Sequence, residues 1–203
     1  MESFLDKSDA LHIDILDILV GAAPFSDTRH EVAMVACGMA LEHALSLRLL
    51  IRTDCYTSAL AMLRLQYEAL TRAVWLLYAA TDEQVETLAA PLTLETERQA
   101  KKLPMFSQQL NEVVERAPPH AALTLTNFKD VNYHAMNSFV HSGIHPLRRY
   151  SEGYPPDLIQ GVIRNSNGLN VVTLQIGVIL TGDLRFSGVV SAIQQKHHQI
   201  LPG

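Results

Sequence analysis

TSALAMLRLQYEALTRAVWLLYAA, the stretch Thr57–Ala80, sets apolar side chains around most of a helical circumference and contains neither glycine nor proline. A helix that is apolar nearly all round is covered by neighbours on several sides, so this segment is expected to be the central helix of a helical domain. On its N-terminal side, Thr53-Asp54-Cys55 breaks the pattern and separates it from a second helix, Thr28–Arg52. There Val32, Val35, Met39, Leu45 and Leu49 recur at helical spacing, and Thr28 with Glu31 has the spacing of a capping box. Gly38 lies inside that helix; because an unneeded helical glycine costs about 1 kcal/mol against alanine, it predicts close helix packing. Before it, Leu11, Ile15, Leu16, Ile18 and Leu19 give a first helix over Asp9–Val20, ended by Gly21 and Pro24.

On the C-terminal side, Thr81–Arg116 is charged and divided by Pro91 and Pro104, which predicts one or two exposed helices. After Pro118-Pro119, a helix is expected over Thr126–His141, stopped by Ser142-Gly143. Ile144–Pro156, with three prolines, reads as a loop. Pro155-Pro156-Asp157 then opens a long helix to Leu180, whose Gly161, Gly168 and Gly177 make its backbone approachable, and a last helix follows over Ser187–Ile200. No segment alternates strictly and no long period repeats. The expectation is one all-α domain over residues 1–203, an antiparallel up-and-down helical bundle with appended helices.

The chain has 203 residues, 48% of them hydrophobic and 18% charged, with a net charge of −5. That composition excludes a disordered chain, and the net charge provides no overall field for gathering nucleic acid, so any RNA contact must be local. Cys37 and Cys55 read as small hydrophobes in or beside helices. Met1–Lys7 lacks the basic start and apolar run of a secretory signal. The apolar tracts Ala69–Ala80 and Val171–Leu180 fall short of the ~20 residues that span a bilayer. A cytoplasmic protein without membrane contact is expected.

Three constellations of polar residues stand out. Arg64, Glu68 and Arg72 follow at i, i+4 and i+8 on the central helix, with Thr71 and Trp75 on the same side. Two cations flanking one carboxylate make either a structural network completed by Glu31 or Glu42, or a site for an anion that arginine's planar fork would hold. Asp130, His134, Asn137 and His141, at i, i+4, i+7 and i+11, form a narrow polar stripe in which His134, Asn137 and His141 are candidate acid, base and hydrogen-bonding groups. The alternative is that His134 and Asn137 satisfy each other in the core. Asp130 with His134 could share an ion, but no further ligand is spaced to help, so no structural metal and no cofactor are expected. Third, the segment after His141 carries Arg148, Arg149 and Tyr150, suited either to phosphate with a stacked base or to a solvated turn. His197-His198 reads as an exposed helix end.

Together, Arg64–Trp75 (RLQYEALTRAVW) and Asn137–Gly143 (NSFVHSG) resemble an uncharacterised group of bacterial helical proteins related to the HEPN-like bundle families, over about Thr28–Gly182. The resemblance implies four or five antiparallel helices, often in a dimer, and families with toxin, antiphage-defence and RNA-cleaving members. The ribonucleases among them carry an Arg-x4-6-His element. Here Arg116 to His120 is too short and is broken by prolines, and His141 has no arginine ahead of it within Asn132–Asn137. A rearranged site would need His141 with Arg148 or Arg149.

Three functional expectations follow. The first is a HEPN-like protein whose interhelical pocket, lined by Arg64, Glu68, Arg72, His134, Asn137 and His141, recognises RNA, a nucleotide or another anion in a bacterial toxin–antitoxin or antiphage setting. The second is a non-catalytic interaction or antitoxin-like dimer with a protein partner, its polar stripes purely structural. The third is a metal-dependent hydrolase using Asp130 and His134. A homodimer is expected through Asp157–Leu180, which looks more apolar than one bundle would cover.

Overall fold

The computed structural model describes residues 1–203 and contains ten α-helices and no strand. They are α1 (Glu2–Val20), α2 (Thr28–Arg52), α3 (Tyr56–Tyr78), α4 (Asp82–Ala89), α5 (Leu94–Ala100), α6 (Phe106–Arg116), α7 (Pro119–Val140), α8 (Ile144–Glu152), α9 (Pro156–Thr181) and α10 (Val189–Lys196). Side-chain bonds fix how the five long helices run. Arg29, at the start of α2, donates to the carbonyls of Leu76 and Ala80 at the far end of α3 (2.6 and 2.8 Å), so α2 and α3 are antiparallel. Tyr67 donates to the Leu125 carbonyl (2.8 Å) and Arg64 to the Tyr133 hydroxyl (3.2 Å), so α7 also runs against α3. Thr57 meets Tyr154 just before α9, while Gln66 donates to the Ser166 carbonyl and the Asn170 side chain (both 3.0 Å), which makes α9 parallel to α3. Arg164 over the Phe4 ring and Asn167 on Ser8 align α1 with α9. The long helices therefore alternate up and down in chain order, with α4–α6 and α8 as short excursions.

α3 is the central helix, packed by α2, α6, α7 and α9, and Trp75, Tyr67 and Leu70 on it are fully buried. The buried Trp75 indole donates to Glu112 of α6 (2.7 Å), giving that exposed-looking helix a fixed seat. Buried polar groups link α9 to α3, α1 and the C-terminal segment: Ser166 donates to Gln66 (2.7 Å), and Asn167 donates to Ser8 (2.9 Å) and to the Ile200 carbonyl (3.1 Å). Gly177 admits the Leu19 side chain and Gly168 admits Pro202, so these two glycines let α1 and the C-terminus press onto α9.

Several expectations are corrected. The first helix starts at Glu2 rather than Asp9, because Leu5 and Ser8 extend its buried face. The cap of α2 is Asp27, whose carboxylate accepts from the His30 amide (3.1 Å), in place of Thr28. Thr81–Arg116 holds three helices, α4 and α5 each opened by a threonine capping box. Pro118-Pro119 starts α7 instead of separating it from the preceding region, proline being tolerated in a first turn. The proline-containing segment after Gly143 is helix α8, with Pro146 in its first turn, rather than a loop. The last segment is the short α10 followed by a 3-10 turn, and His197 is buried against Asp14 (2.6 Å) rather than exposed. Cys37 is buried, its thiol pushed up to about 12 by desolvation, whereas Cys55 is exposed.

The uncovered apolar surface expected on α9 is corrected as well. Most apolar residues of α9 are buried within the chain itself, against α1, α2, α3 and α10. α2 keeps Val35, Met39, Leu45 and Leu49 exposed, and it is the one helix long and apolar enough by length and composition to cross a membrane. Only 44% of its apolar window is buried in the bundle.

His12 and Arg48 occupy the interior between α1 and α2. Arg48 donates to Asp9 (2.6 Å) and to the Ala44 carbonyl (3.1 Å), and the nearby His12 ring has no acceptor or donor on Nδ1. Burial, reinforced by Arg48, holds the imidazole down to about 4 from 6.5. The unfolded chain therefore takes up this proton at higher pH than the fold does. The contribution is fully present above pH 6.5 and is lost as pH falls from 6.5 towards 4. Urea titrations across that window should show a loss of about 3 kcal/mol that disappears in His12→Leu; a variant with the same pH profile as the wild type would refute the assignment.

Candidate functional site

The three-residue ladder on α3 is divided between two environments. Arg64 is 6% exposed. Its guanidinium pairs with Glu68, donates to the Tyr133 hydroxyl and lies 4.4 Å from the Phe106 ring centroid and 4.6 Å from that of Tyr133. Those two rings are themselves stacked, so Arg64 ties α3 to α6 and α7 through cation–π contact as well as charge. Its Nε has no acceptor, which leaves Glu68 as the sole carboxylate holding this buried cation. Glu31 and Glu42, the expected partners, are both exposed and make no ion pair with the ladder.

Arg72, two turns further on, is exposed and has no ion pair or side-chain hydrogen bond within the chain. It lines a groove of about 340 Å³ between α2 and α3, together with Glu68 and His43. The walls are otherwise mostly apolar, with Val35 and Met39 from α2 and Leu65 and Leu76 from α3. With Glu68 committed to Arg64, the uncommitted charge facing this groove is the Arg72 guanidinium. His43 was not singled out in the sequence because a lone histidine among the apolar residues of α2 carries no spacing signal; only the antiparallel packing of α2 on α3 places it beside the ladder.

The α7 stripe does not join this groove. Asp130, His134 and His141 are exposed, Asn137 is half-buried, and none of the four makes a side-chain hydrogen bond within the chain. His134 and Asn137 therefore do not satisfy each other; the ring of His134 instead rests edge-on against Tyr133. His141 caps the C-terminal end of α7. Arg148 and Arg149 are held on their own helix by Glu152, the latter at 3.7 Å, and Tyr150 is 82% exposed without a cation over its ring. No three His, Cys, Asp or Glu side chains converge as a metal site would require.

Two other depressions are less suited to a charged ligand. A wide polar one of about 690 Å³ beside α4 and α5 sets Lys102 against Glu83 and Glu86, which disfavours an anion. An apolar groove of about 290 Å³ between α3, α7 and α9 contains Asn132 and Asn165, but these amides already bond each other (2.9 Å).

The split ladder gives opposite expectations for its members. Glu68→Ala strands the buried Arg64 and should lower stability by about 2–3 kcal/mol, the lower range for a buried pair because Glu68 is partly open to solvent. Arg72→Met should change it by less than about 0.5 kcal/mol. Equal losses in both variants, measured by chemical denaturation, would show a single closed network instead.

No curated protein and no solved structure matches the chain. Residues 37–203, from the middle of α2 to the C-terminus, match the model of a family of unknown function, DUF6988, and the chain belongs to that family.

Proposed function

We propose that this protein is a binding protein whose α2/α3 groove takes up an anion with an apolar body. The observation that carries this reading is Arg72, a cation without a partner at the edge of an apolar groove. Arginine's fork suits a carboxylate or phosphate, the walls suit a hydrocarbon or aromatic body, and His43 adds a second hydrogen-bonding group. A small organic acid fits better than RNA or a nucleotide. Phosphate-rich ligands call for several free cations, and Arg148 and Arg149 are both engaged by Glu152. Ligand residues in this reading are Arg72 and His43, with Glu68 and Arg64 as the scaffold that fixes the groove wall.

The HEPN-like relationship, with its bacterial toxin–antitoxin or antiphage setting and a cytoplasmic location, is part of the same proposal. Its support is the alternation of five long helices and the paired Arg64–Trp75 and Asn137–Gly143 segments. The groove reading does not depend on it. The hydrolase alternative gains nothing from Asp130 and His134, which stand on an open surface without a third ligand.

Thermal melting with a panel of aliphatic and aryl carboxylates, mononucleotides and short RNAs tests the proposal. A carboxylate at ten times its Kd should raise Tm by about 3–6 °C, and Arg72→Met should abolish the shift without lowering the ligand-free Tm. A panel in which nothing shifts Tm, or a shift that survives Arg72→Met, would overturn it.

A further inference from the structure

Glu68 holds its structural partner with one oxygen only. Its Oε1 is on the Arg64 guanidinium, while Oε2 has no partner within the chain and the side chain keeps 37% of its surface open. That open edge lines the same groove as Arg72. Glutamate followed four residues later by arginine is the order in which neighbours on a helix normally pair, yet these two do not, because Arg64 draws the carboxylate the other way. The groove wall therefore presents a half-used carboxylate and an unused guanidinium one turn apart. Beneath them the lining is small: Ala69 of α3 and Ala36 of α2 are both buried and have nothing beyond Cβ to fill the space. Because α2 and α3 are antiparallel, His43 lies level with Leu65 on the Glu68 side, and Val32 lies level with Leu76 on the Arg72 side, where Leu88 of α4 joins them.

We infer that the groove takes a zwitterionic α-amino acid with an apolar side chain, its carboxylate on Arg72, its ammonium on the open oxygen of Glu68 and its side chain against Val32, Leu76 and Leu88. This rests on the reading of Arg72 as the cation that binds the ligand, and adds the second charge that the ligand must carry. A simple carboxylate meets Arg72 well but brings its negative charge within a helical turn of Glu68. An ammonium on the adjacent carbon turns that repulsion into a charge-assisted hydrogen bond. A carboxylate accepts at about four lone-pair positions, so the bond to Arg64 survives the new one. Side chains four apart on a helix have Cβ atoms about 5–6 Å from each other, a separation that two heads borne on one carbon can bridge once both side chains turn inwards. His43, on the far side of Glu68, offers a ring nitrogen to the same ammonium. The end beyond Arg72 is lined by apolar residues only, which selects leucine-like or phenylalanine-like side chains over charged ones.

Isothermal titration calorimetry of the full chain with matched compounds tests this. Leucine and phenylalanine should bind about tenfold or more tighter than isocaproate and hydrocinnamate, which lack only the ammonium, and the amides of both amino acids, which lack the carboxylate charge, should lose at least as much. Glycine, without an apolar body, should bind at least about tenfold more weakly than leucine. Glu68→Gln keeps an oxygen for Arg64 but removes the charge, and should bring leucine and isocaproate to within about threefold of each other. Should that variant fail to fold, the comparison of matched compounds on the wild type decides alone. Isocaproate binding as tightly as leucine sinks the inference and leaves the anion groove standing, and an ammonium preference that Glu68→Gln leaves intact sinks it as well. Leucine binding that survives Arg72→Met, or a wild type that binds neither the amino acids nor the simple acids, overturns both readings.

Discussion

A helix enclosed on nearly every side must find a partner inside the fold for each polar group it buries, and α3 buries several. Arg64 is held by Glu68, the Tyr133 hydroxyl and two aromatic faces. Gln66 reaches α9, Tyr67 reaches the backbone of α7, and Trp75 reaches Glu112 on α6. Buried groups left unmatched would each be penalised by about 1–3 kcal/mol, so these bonds specify which helix may lie where around α3 in a way that apolar contact alone cannot. The positions of α6, α7 and α9, and the wall of the groove, follow from that requirement.

The same requirement separates structure from function within one short motif. Arg64 and Arg72 look equivalent on a helical wheel, since both stand four residues from Glu68. They differ because α6 and α7 close over the first and leave the second at the edge of α2. One carboxylate is enough for the enclosed cation, and the cation in water needs none. A motif that began as a choice between scaffold and site is thus both, with Arg64 on one side and Arg72 on the other.

α2 presents the complementary case. Its inner face supplies Ala33, Cys37, Ala40, Ala44 and Leu47 to the core, small residues that let α3 approach closely. Its outer face remains apolar over much of its length, which a helix needing only one buried stripe has no reason to be. Val35 and Met39, both exposed on α2, also line the groove that holds Arg72.

The sequence by itself determined the long apolar helices α2, α3 and α9, because a period near 3.6 in apolar residues is a local property that neighbours only reinforce. α2 was placed to the residue by it, and α3 and α9 to within a residue or two. Capping and proline signals were less decisive: Asp27 and Thr28 can each cap a helix, and a proline can open a helix as readily as end a segment, which is why α8 read as a loop. Tertiary structure alone decided which polar residues belong together. Asp130, His134, Asn137 and His141 align on α7 as their spacing requires, but a helical stripe carries no information about whether it faces a neighbour or water, and this one faces water. His12, Arg48, Asn167 and Asn170 sit among apolar residues with no motif to mark them, and became visible as interior groups only when α1, α2 and α9 were brought together. Burial is a property of the assembled helices, and the charge left free at Arg72 is set by which neighbours happen to close over Arg64.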